Sequence, residues 1–253
     1  MEFSWGLDTF RKFLQAVRVI SDEVCFEVDS SGLNVRFLDS WHCAMIDSFI
    51  PKRSFIRFKC GSEHPSPFGL DVGKMLSILK SFKDGLVEGA LSNIFQLKVL
   101  PQNCPKNVRI FKFPLLDTKP EDLPEPKVNF SHEVEVSTKA FLDAVKLLEK
   151  IDEYVKLIVG PDKLVFEAGE EDEVEARAVI AETEDLVNVK TTVKGYVAIA
   201  KYNLKYLLPI AKTAAKIVRL MKIKLSTQSP ICLQLDFPIP DGSIKYWVAP
   251  LSE

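Results

Sequence analysis

This chain of 253 residues has few histidines, no closely paired cysteines and no residue spacing that is typical of a metal or catalytic site. Its three histidines, His42, His64 and His132, stand far apart and form no His-Glu-x-x-His or related ligand spacing. Its five cysteines never form a Cys-x-x-Cys pair, which excludes the usual zinc-ligand spacings. We therefore expect buried, reduced thiols, and a Cys60–Cys104 disulfide is conceivable only in a hyperthermophilic host.

Membrane and secretion signals are also missing. No apolar run approaches the roughly 18 residues that a membrane span needs. The N-terminal segment 1–5 has neither the basic region nor the apolar core of a signal peptide. We expect a cytoplasmic protein with no membrane partner, long enough for one large or two medium domains.

Motifs that carry enzyme chemistry are absent as well. The chain has no Gly-x-Ser-x-Gly elbow and no Gly-x-Gly-x-x-Gly loop. Residues 69–75 imitate a phosphate loop, but they are one residue short between the glycines, and Met75 replaces the magnesium-binding Ser or Thr. The acidic run 169–173 lacks calcium-loop spacing. These absences favour a binding module with no catalytic residue, metal or cofactor.

Charge is segregated along the chain although the net charge is only −2. Residues 167–185 contain nine acidic residues and the single base Arg177. Residues 187–235 contain nine basic residues and no acid. A protein with one acidic and one basic surface can hold a polyanion on one side only.

A proline-rich stretch at residues 115–127 divides the chain. Its three prolines resist both helix and central strand, and they push the residues before them toward extended conformations. We predict an extended connector between an N-terminal domain of residues 1–114 and a C-terminal domain of residues 128–253. Leu123 is the apolar residue in its otherwise polar central part.

The two halves share one order of predicted elements. Apolar residues at helical spacing predict helices at residues 8–20 and 138–150, and Asp8 is a plausible N-cap of the first. Alternating patterns predict hairpins at 24–38 and 155–167, with further strands at 43–50, 94–100 and 107–116. Asp71 and Asn203 are predicted to cap a second helix in each half. The matching positions are offset almost constantly: Phe10 to Phe141, Leu14 to Val145, Val24 to Val155, Leu33 to Leu164 and Val35 to Phe166 by 131, and Lys80 to Lys212 by 132.

This register predicts two copies of one unit. Both predicted helices of each copy combine an apolar stripe with a stripe of Lys or Arg, although surface helices normally mix charge signs. We expect the apolar stripes to pack on the sheets and the bases to face phosphates without reading sequence. The sequence shows no cluster of exposed aromatics interleaved with these bases, as a single-strand stacking platform would require.

Several segments then resemble one family, the DNA sliding clamps of the proliferating cell nuclear antigen type. They are residues 29–35, residues 38–42, the ending Lys245-Tyr246-Trp247-Val248-Ala249-Pro250 and the central connector. Residues 125–129 and 166–170 look like archaeal members. The similarity spans essentially the whole chain.

The resemblance implies an α+β fold of two similar DNA-clamp domains, with three subunits closing into a pseudo-sixfold ring lined by helices. Duplex DNA would pass through the ring. Matching positions suggest as phosphate neighbours Arg11, Lys12, Arg18, Lys80 and Lys212. The helical-face argument alone adds Lys146, Lys150 and Lys216.

The resemblance also implies a pocket under the connector that takes short peptides of client enzymes. Its matching positions are Leu38, His42, Cys43, Met45, Leu123, Pro230, Trp247, Ala249 and Pro250. The expected partners are DNA polymerase, flap nuclease, ligase and a clamp loader.

Ring closure would pair a strand at 107–114 with a strand at 173–181 of a neighbouring subunit. The residues assigned to this interface are Arg109, Phe111, Phe113, Val174, Ala176, Ala178 and Ile180. The assembly would be a homotrimer or a heterotrimer with paralogous subunits.

Three residues depart from the family pattern. Trp41 replaces a usually small residue beside the pocket, Ser77 stands where many relatives have lysine, and Pro209 lies inside the last predicted helix, which it should kink or deprive of one hydrogen bond.

Two other functions remain open at this point. One is a two-domain enzyme whose acidic run binds a metal and whose basic helices bind a phosphorylated substrate. The other is a peptide-binding scaffold that forms no ring.

Overall fold

The protein is described by a computed structural model that covers residues 1–104, 106–118, 123–169, 174–181, 186–191 and 197–251. The chain forms two compact units. Unit 1 comprises Met1–Asp39, Ile46–Pro124 and Phe237–Ile244, and unit 2 comprises Ser40–Met45, Glu125–Asp236 and Lys245–Glu253. Each unit therefore includes a short segment from the other half of the sequence.

The described part of unit 1 contains two α-helices, a short 3-10 helix (Lys52–Ser54) and antiparallel strands. The helices are α1 (Leu7–Arg18) and α2 (Val72–Leu79). The strands are β1 (Glu2–Gly6), β2 (Glu23–Val28), β3 (Gly32–Leu38), β4 (Ala44–Pro51, from Ile46 in unit 1), β5 (Arg57–Lys59), β6 (Ser66–Asp71), β7 (Gly85–Leu91), β8 (Ile94–Pro101) and β9 (Arg109–Pro114).

One sheet of unit 1 has the order β5-β1-β7-β8-β9, and β2 pairs with β3 and β6 in another. The core is rich in aromatic rings because β1 and α1 turn the same kind of side chain inward. Phe3 lies 5.7 Å from Phe10, and Trp5 lies 4.7 Å from Phe55, between ring centroids. Such tilted pairs add to the free energy gained by burying the rings.

Unit 2 repeats this construction. Its helices are α3 (Thr138–Leu148) and α4 (Leu204–Ile217). Its strands are β10 (His132–Ser137), β11 (Tyr154–Val159), β12 (Lys163–Ala168), β13 (Ala176–Ala181), β14 (Leu186–Thr191), β15 (Ala198–Asn203), β16 (Leu220–Leu225), β17 (Ile231–Asp236) and β18 (Ser243–Val248, from Lys245 in unit 2).

The four-stranded sheet of unit 2 has the order β13-β12-β11-β15, and β14, β10, β16, β17 and β18 follow one another in a second sheet. The registered strand pairs within the described residues of each unit are antiparallel. Helices set beside antiparallel sheets make this an α+β protein, which confirms the predicted fold class.

The predicted repeat is also confirmed. Helix α3 begins 131 residues after α1, and strands β11 and β12 begin 131 residues after β2 and β3. Helix α4 begins 132 residues after α2. The register holds because the same positions are buried in both copies: Val24 and Val155, for example, are fully inaccessible to solvent.

Two of the three predicted N-caps are confirmed. Asp71 accepts a hydrogen bond from the backbone N–H of Lys74 at 2.7 Å, and Asn203 accepts one from Lys205 at 2.7 Å. The prediction for Asp8 is wrong, since α1 begins at Leu7 with Gly6 as its cap. Strand β1 runs directly into α1, and burial of Leu7 sets the start of the helix in place of a capping side chain.

Helix α4 runs through Pro209 from Leu204 to Ile217. Proline at this position has no N–H, so the carbonyl of Lys205 loses its helical partner there. The helix nevertheless continues, because Leu207, Leu208 and the apolar residues that follow are buried in unit 2.

The connector begins against unit 1. The backbone N–H of Leu116 donates to the carbonyl of Gly69 at 3.0 Å. Any Cβ at Gly69 would overlap Leu116 and the hydroxyl of Thr118, so glycine is needed for this close approach. Residues 119–122 lie outside the described part of the chain.

Candidate DNA and peptide interfaces

Helix α4 presents a row of lysines to solvent. Its apolar residues are buried, whereas Lys205, Lys212 and Lys216 are exposed. Positions i, i+7 and i+11 fall on one line along a helix, so the three ammonium groups share one side. None of the three forms an ion pair with a residue that the structure describes, and α4 contains no acidic residue.

Helix α3 carries the same pattern. Lys139, Lys146 and Lys150, which follows the helix end, are exposed at the identical spacing. Ser137 caps the helix by accepting from the backbone N–H of Ala140 at 3.3 Å. Helices α3 and α4 pack against each other, so both rows belong to the helical layer of unit 2.

The predicted DNA-binding cations of α1 are engaged within unit 1. Arg11 donates to the carbonyl oxygens of Phe82 at 2.8 Å and Lys83 at 3.3 Å, which ties α1 to the turn that follows α2. Arg11 and Lys12 both pair with Asp8, at 3.1 and 2.9 Å.

Asp8 is correspondingly stabilised as a carboxylate. The bond from Lys12 is the main cause that holds the pKa of Asp8 below its ordinary value, with a further bond from Arg11. A folded-state pKa that is depressed stabilises the fold above the unfolded pKa, so this contribution is lost as the pH falls through the folded-state value. The ion pairs of Asp8 with Arg11 and Lys12 therefore persist at neutral pH.

Arg18 pairs with Asp22 at 2.5 Å. Lys80, at the end of α2, is exposed and has no ion pair among the described residues. The cations of α1 thus hold acidic partners, whereas Lys80 and the lysines of α3 and α4 have none in the part of the chain that the structure describes. Exposed lysines without an acidic partner among the described residues therefore lie at α2 of unit 1 and on α3 and α4 of unit 2.

The C-terminal segment of unit 2 builds one part of the predicted peptide surface. The N–H of Ala249 donates to the carbonyl of Cys43 at 2.8 Å, and the N–H of Leu251 donates to the carbonyl of Lys201 at 2.8 Å. His42 and Ala249 are exposed, while Cys43, Pro230 and Pro250 are half-buried. These residues are available at the surface of unit 2.

Two predicted members of that surface are core residues. Met45 is 4% exposed and Trp247 is 7% exposed, and the Trp247 ring stacks on Phe130 at 5.8 Å between centroids. The indole N–H of Trp247 is buried and has no partner among the described residues. Both side chains would act through the surface that they support.

Leu38 and Leu123 lie in unit 1 and are half-buried. Arg36 holds the connector there: its guanidinium donates to the carbonyl of Leu123 at 3.0 Å and pairs with Asp47 at 3.1 Å. Sequence reasoning did not single out Arg36, although an Arg and an Asp on neighbouring strands is the signal that could have done so.

The predicted subunit-interface residues lie on or beside edge strands. Strand β9 ends the five-stranded sheet of unit 1, and β13 ends the four-stranded sheet of unit 2. Phe113 and Ile180 are buried in their own units, whereas Ile110 on β9 and Val179 on β13 are 55% and 52% exposed. Of the others, Arg109 and Val174 are exposed and Phe111, Ala176 and Ala178 are half-buried.

Ile110 and Val179 were missed because period-two alternation assigns one face inward and treats the other as solvated. An apolar residue on the outward face of an edge strand is the signal that could have found them. The opposite edge of the unit 2 sheet is covered, since the backbone of Ile199 on β15 bonds the Thr227 hydroxyl and the N–H of Gln228.

Within the described residues, no group of three His, Cys, Asp or Glu side chains could hold a metal ion. The acidic run Glu170–Glu173 lies outside them. All five cysteines are free thiols, but the expectation that they are buried holds for Cys25 and Cys232 alone: Cys43 and Cys60 are half-buried and Cys104 is exposed. No helix in the described part of the chain is long and apolar enough to cross a membrane.

A duplicated α+β unit whose helices carry exposed lysines, without acidic partners among the described residues, is the pattern of a DNA-clamp type of protein. A family model described as "Proliferating cell nuclear antigen, N-terminal domain" matches residues 7–87. DNA polymerase sliding clamp 1 of Pyrobaculum aerophilum is 30% identical over 248 residues, covering 96% of this chain and 95% of that protein.

Solved structures agree on the fold. PCNA from Thermococcus kodakaraensis superposes with a TM-score of 0.90 at 21% identity and 99% coverage of both chains. The PCNA2–PCNA3 complex of Sulfolobus tokodaii gives 0.86 at 19% identity, with both chains covered completely. The chain belongs to the proliferating cell nuclear antigen family of DNA polymerase sliding clamps, which confirms the resemblance read from the sequence.

Proposed function

We propose that this chain is a subunit of a DNA polymerase sliding clamp. Three subunits close into a ring around duplex DNA, and the ring tethers replication and repair enzymes. The protein supplies no chemistry of its own. Tethering acts through effective concentration, because an enzyme held on the ring cannot diffuse away from its substrate.

The carrying observation is the pair of lysine rows on α3 and α4. The six ammonium groups are exposed and lack described ionic partners, so they can replace the counterions of a phosphate backbone. Long lysine side chains make point contacts with phosphates and carry no base readout. Such contacts are weak and salt-sensitive, which suits a protein that slides.

Ring closure is proposed to use β9 of one subunit and β13 of the next. Both strands end a sheet and expose an apolar residue, Ile110 and Val179. Joining two different edges is a head-to-tail contact, and such contacts close into a ring when the rotation per subunit divides a full turn. Pairing also protects edges that would otherwise favour aggregation.

Client enzymes are proposed to dock through short peptides at two groups of residues. In unit 1 they are Leu38 and Leu123, and in unit 2 they are His42, Cys43, Pro230, Ala249 and Pro250. Polymerase, flap nuclease, ligase and clamp loader are the proposed clients. We expect the peptides to bind in two ways. A helical turn of the peptide enters an apolar cavity, and another part of it pairs with a backbone edge as an added strand.

A pair of variants tests the two activities separately. Lys146→Glu/Lys212→Glu should lower the amount of protein that is loaded and retained on circular duplex DNA, since two phosphate contacts that favour loading become repulsive, while binding of a clamp-interacting polymerase peptide is unchanged. Leu123→Ser should lower peptide affinity by roughly tenfold through lost apolar burial, with DNA retention intact. Retention is measured by gel filtration and peptide affinity by calorimetry.

The matched control is Lys156→Glu/Lys163→Glu. It changes the net charge equally, but it alters exposed lysines on β11 and β12 of the same unit. If this control weakened DNA retention as much as the helix variant, net charge would explain the effect and the lysine rows would not be the DNA interface.

A further inference from the structure

Trp41 is the most exposed large apolar side chain in the described chain, at 74%. It lies in Ser40–Met45, the short segment that belongs to unit 2, and the next residue, His42, has a left-handed backbone with φ of 56°. An exposed indole has a cost in water, and tryptophan is the side chain most often found at binding hot spots.

Trp41 is grouped with two residues from a distant part of the chain. The ammonium of Lys205 lies 6.0 Å from the centroid of the Trp41 ring and 5.7 Å from that of Tyr206. Both distances are within the range of cation–π attraction. Aromatic and basic side chains are therefore interleaved at this point of unit 2, which the sequence did not reveal because residues 41 and 205 are far apart.

Lys205 is also the first member of the α4 lysine row. A phosphate backbone that follows Lys216 and Lys212 toward the start of α4 reaches the ammonium beside Trp41. The row therefore ends at an aromatic side chain that is 74% exposed. Phosphate contacts followed by a stacking surface are the combination by which proteins bind unpaired nucleotides.

We propose that Trp41, Lys205 and Tyr206 form a binding site for unpaired nucleotides. A base stacks on the exposed face of Trp41, and Lys205 contacts the adjoining phosphate. The site shares Lys205 with the α4 lysine row and adjoins His42 and Cys43 of the peptide surface in sequence, and what it adds is the exposed ring of Trp41. Only the direction of the phosphate path rests on the proposed clamp function.

The alternative occupant is an acidic peptide with an aromatic residue, which would also match an indole beside an ammonium. Continuity with the lysine row favours nucleic acid, because α4 offers three cations in line and no acid. An acidic peptide would need to place a carboxylate beside only one of these three lysines, so it does not account for the row.

Fluorescence can test the site directly. The chain has three tryptophans, and Trp5 and Trp247 are 2% and 7% exposed, so ligand-dependent quenching reports Trp41. The probes are an oligo-dT strand and an abasic strand of equal length, which keeps the phosphates and lacks the bases. We expect oligo-dT to quench the emission and to bind more tightly than the abasic strand.

Trp41→Ala should lower the oligo-dT affinity, measured by anisotropy of the labelled strand, by between about fivefold and about a hundredfold. Affinity for the abasic strand should not change. Trp41→Phe should restore part of the loss. Ile56→Ala, which truncates another exposed apolar side chain at 66% exposure in unit 1, is the matched control.

Equal quenching by both strands, or quenching by an acidic peptide and none by oligo-dT, would overturn the proposal. Duplex retention of Lys146→Glu/Lys212→Glu, compared with the oligo-dT quenching, separates this site from the proposed clamp function. If duplex retention needs Lys146 and Lys212 while oligo-dT fails to quench, the nucleotide site is wrong and the clamp function stands. If oligo-dT binding depends on Trp41 but duplex retention does not depend on Lys146 and Lys212, the nucleotide site stands and the proposed clamp function is wrong.

Discussion

Individual cations in this protein differ in what they are free to bind. Arg11 uses its guanidinium to hold the turn after α2, and Asp8 and Asp22 neutralise Lys12 and Arg18. Exposed ion pairs of this kind contribute little to stability. Their larger effect is on the potential of the surface, because two carboxylates cancel charge that would otherwise face a polyanion.

Removing those carboxylates should therefore strengthen DNA binding. In Asp8→Asn/Asp22→Asn, Lys12 and Arg18 become available to phosphates. We expect the slope of log Kobs against log salt to steepen by up to about 0.9 for each phosphate newly contacted. Binding to a short duplex is measured across a salt series.

The control is Asp162→Asn, which removes an exposed acid from the hairpin turn of unit 2. An unchanged slope for the α1 double variant would show that the cations of α1 do not face DNA. A slope that steepened equally in Asp162→Asn would show that net charge alone is responsible.

Residue roles could be predicted from the sequence where a local pattern carries them. The lysines of α3 and α4 follow from helical spacing, and the caps at Asp71 and Asn203 follow from residue type and position. The Asp8 cap failed because burial of Leu7 decided the helix start. The Trp41–Lys205 contact could not be predicted, since no local rule links positions so far apart.

At the scale of elements, the two edges of the unit 2 sheet differ. Strand β15 is covered by residues 227–228, whereas β13 ends the sheet with Val179 half exposed to solvent. An edge with an outward apolar residue is suited to pairing with another strand, and a charge placed there opposes pairing. The difference makes β13 the testable edge.

Val179→Lys should shift the assembly from trimer to monomer, because the ammonium would be placed in the proposed contact with β9 of a neighbour. Mass is measured by light scattering over a concentration series, with and without candidate sister subunits. Ile199→Lys, on the covered edge of the same sheet, should leave the trimer intact. If the trimer survived Val179→Lys but not Ile199→Lys, the interface would lie on β15 and the proposed contact through β13 would be wrong.

Some elements with clean periodicity were predicted, whereas β10 and β16 alternate regularly in burial and were still missed. The hairpins β2–β3 and β11–β12 alternate regularly and were confirmed. Strands β6 and β7 were missed because Pro67, Gly69 and Gly89 have low strand propensity. Packing explains these residues: Gly89 lies against the ring of Phe3, and Gly69 against the connector.

At the scale of the whole molecule, the duplication allows one chain to supply both partners of a ring contact. In the described residues, β9 ends a sheet of unit 1 and β13 ends a sheet of unit 2. A chain with both edges can join copies of itself, and it can equally join paralogues that keep the same strands. The exchange of Ser40–Met45 and Phe237–Ile244 between units could not be read from a linear sequence, because it depends on long-range contacts.

The most direct test of the proposed function is topological retention. The protein, alone and with any paralogous subunits, is loaded on a nicked circular plasmid with a clamp loader and ATP. The complex is then passed through a gel-filtration column at a salt concentration that breaks phosphate contacts. In half of each sample the plasmid is linearised after loading and before the column.

A closed ring is held by topology, so we expect the protein to co-elute with the circle and to be released when the plasmid is cut. Equal retention on circular and linear DNA in every mixture, or loss from both, would contradict a ring that encircles the duplex.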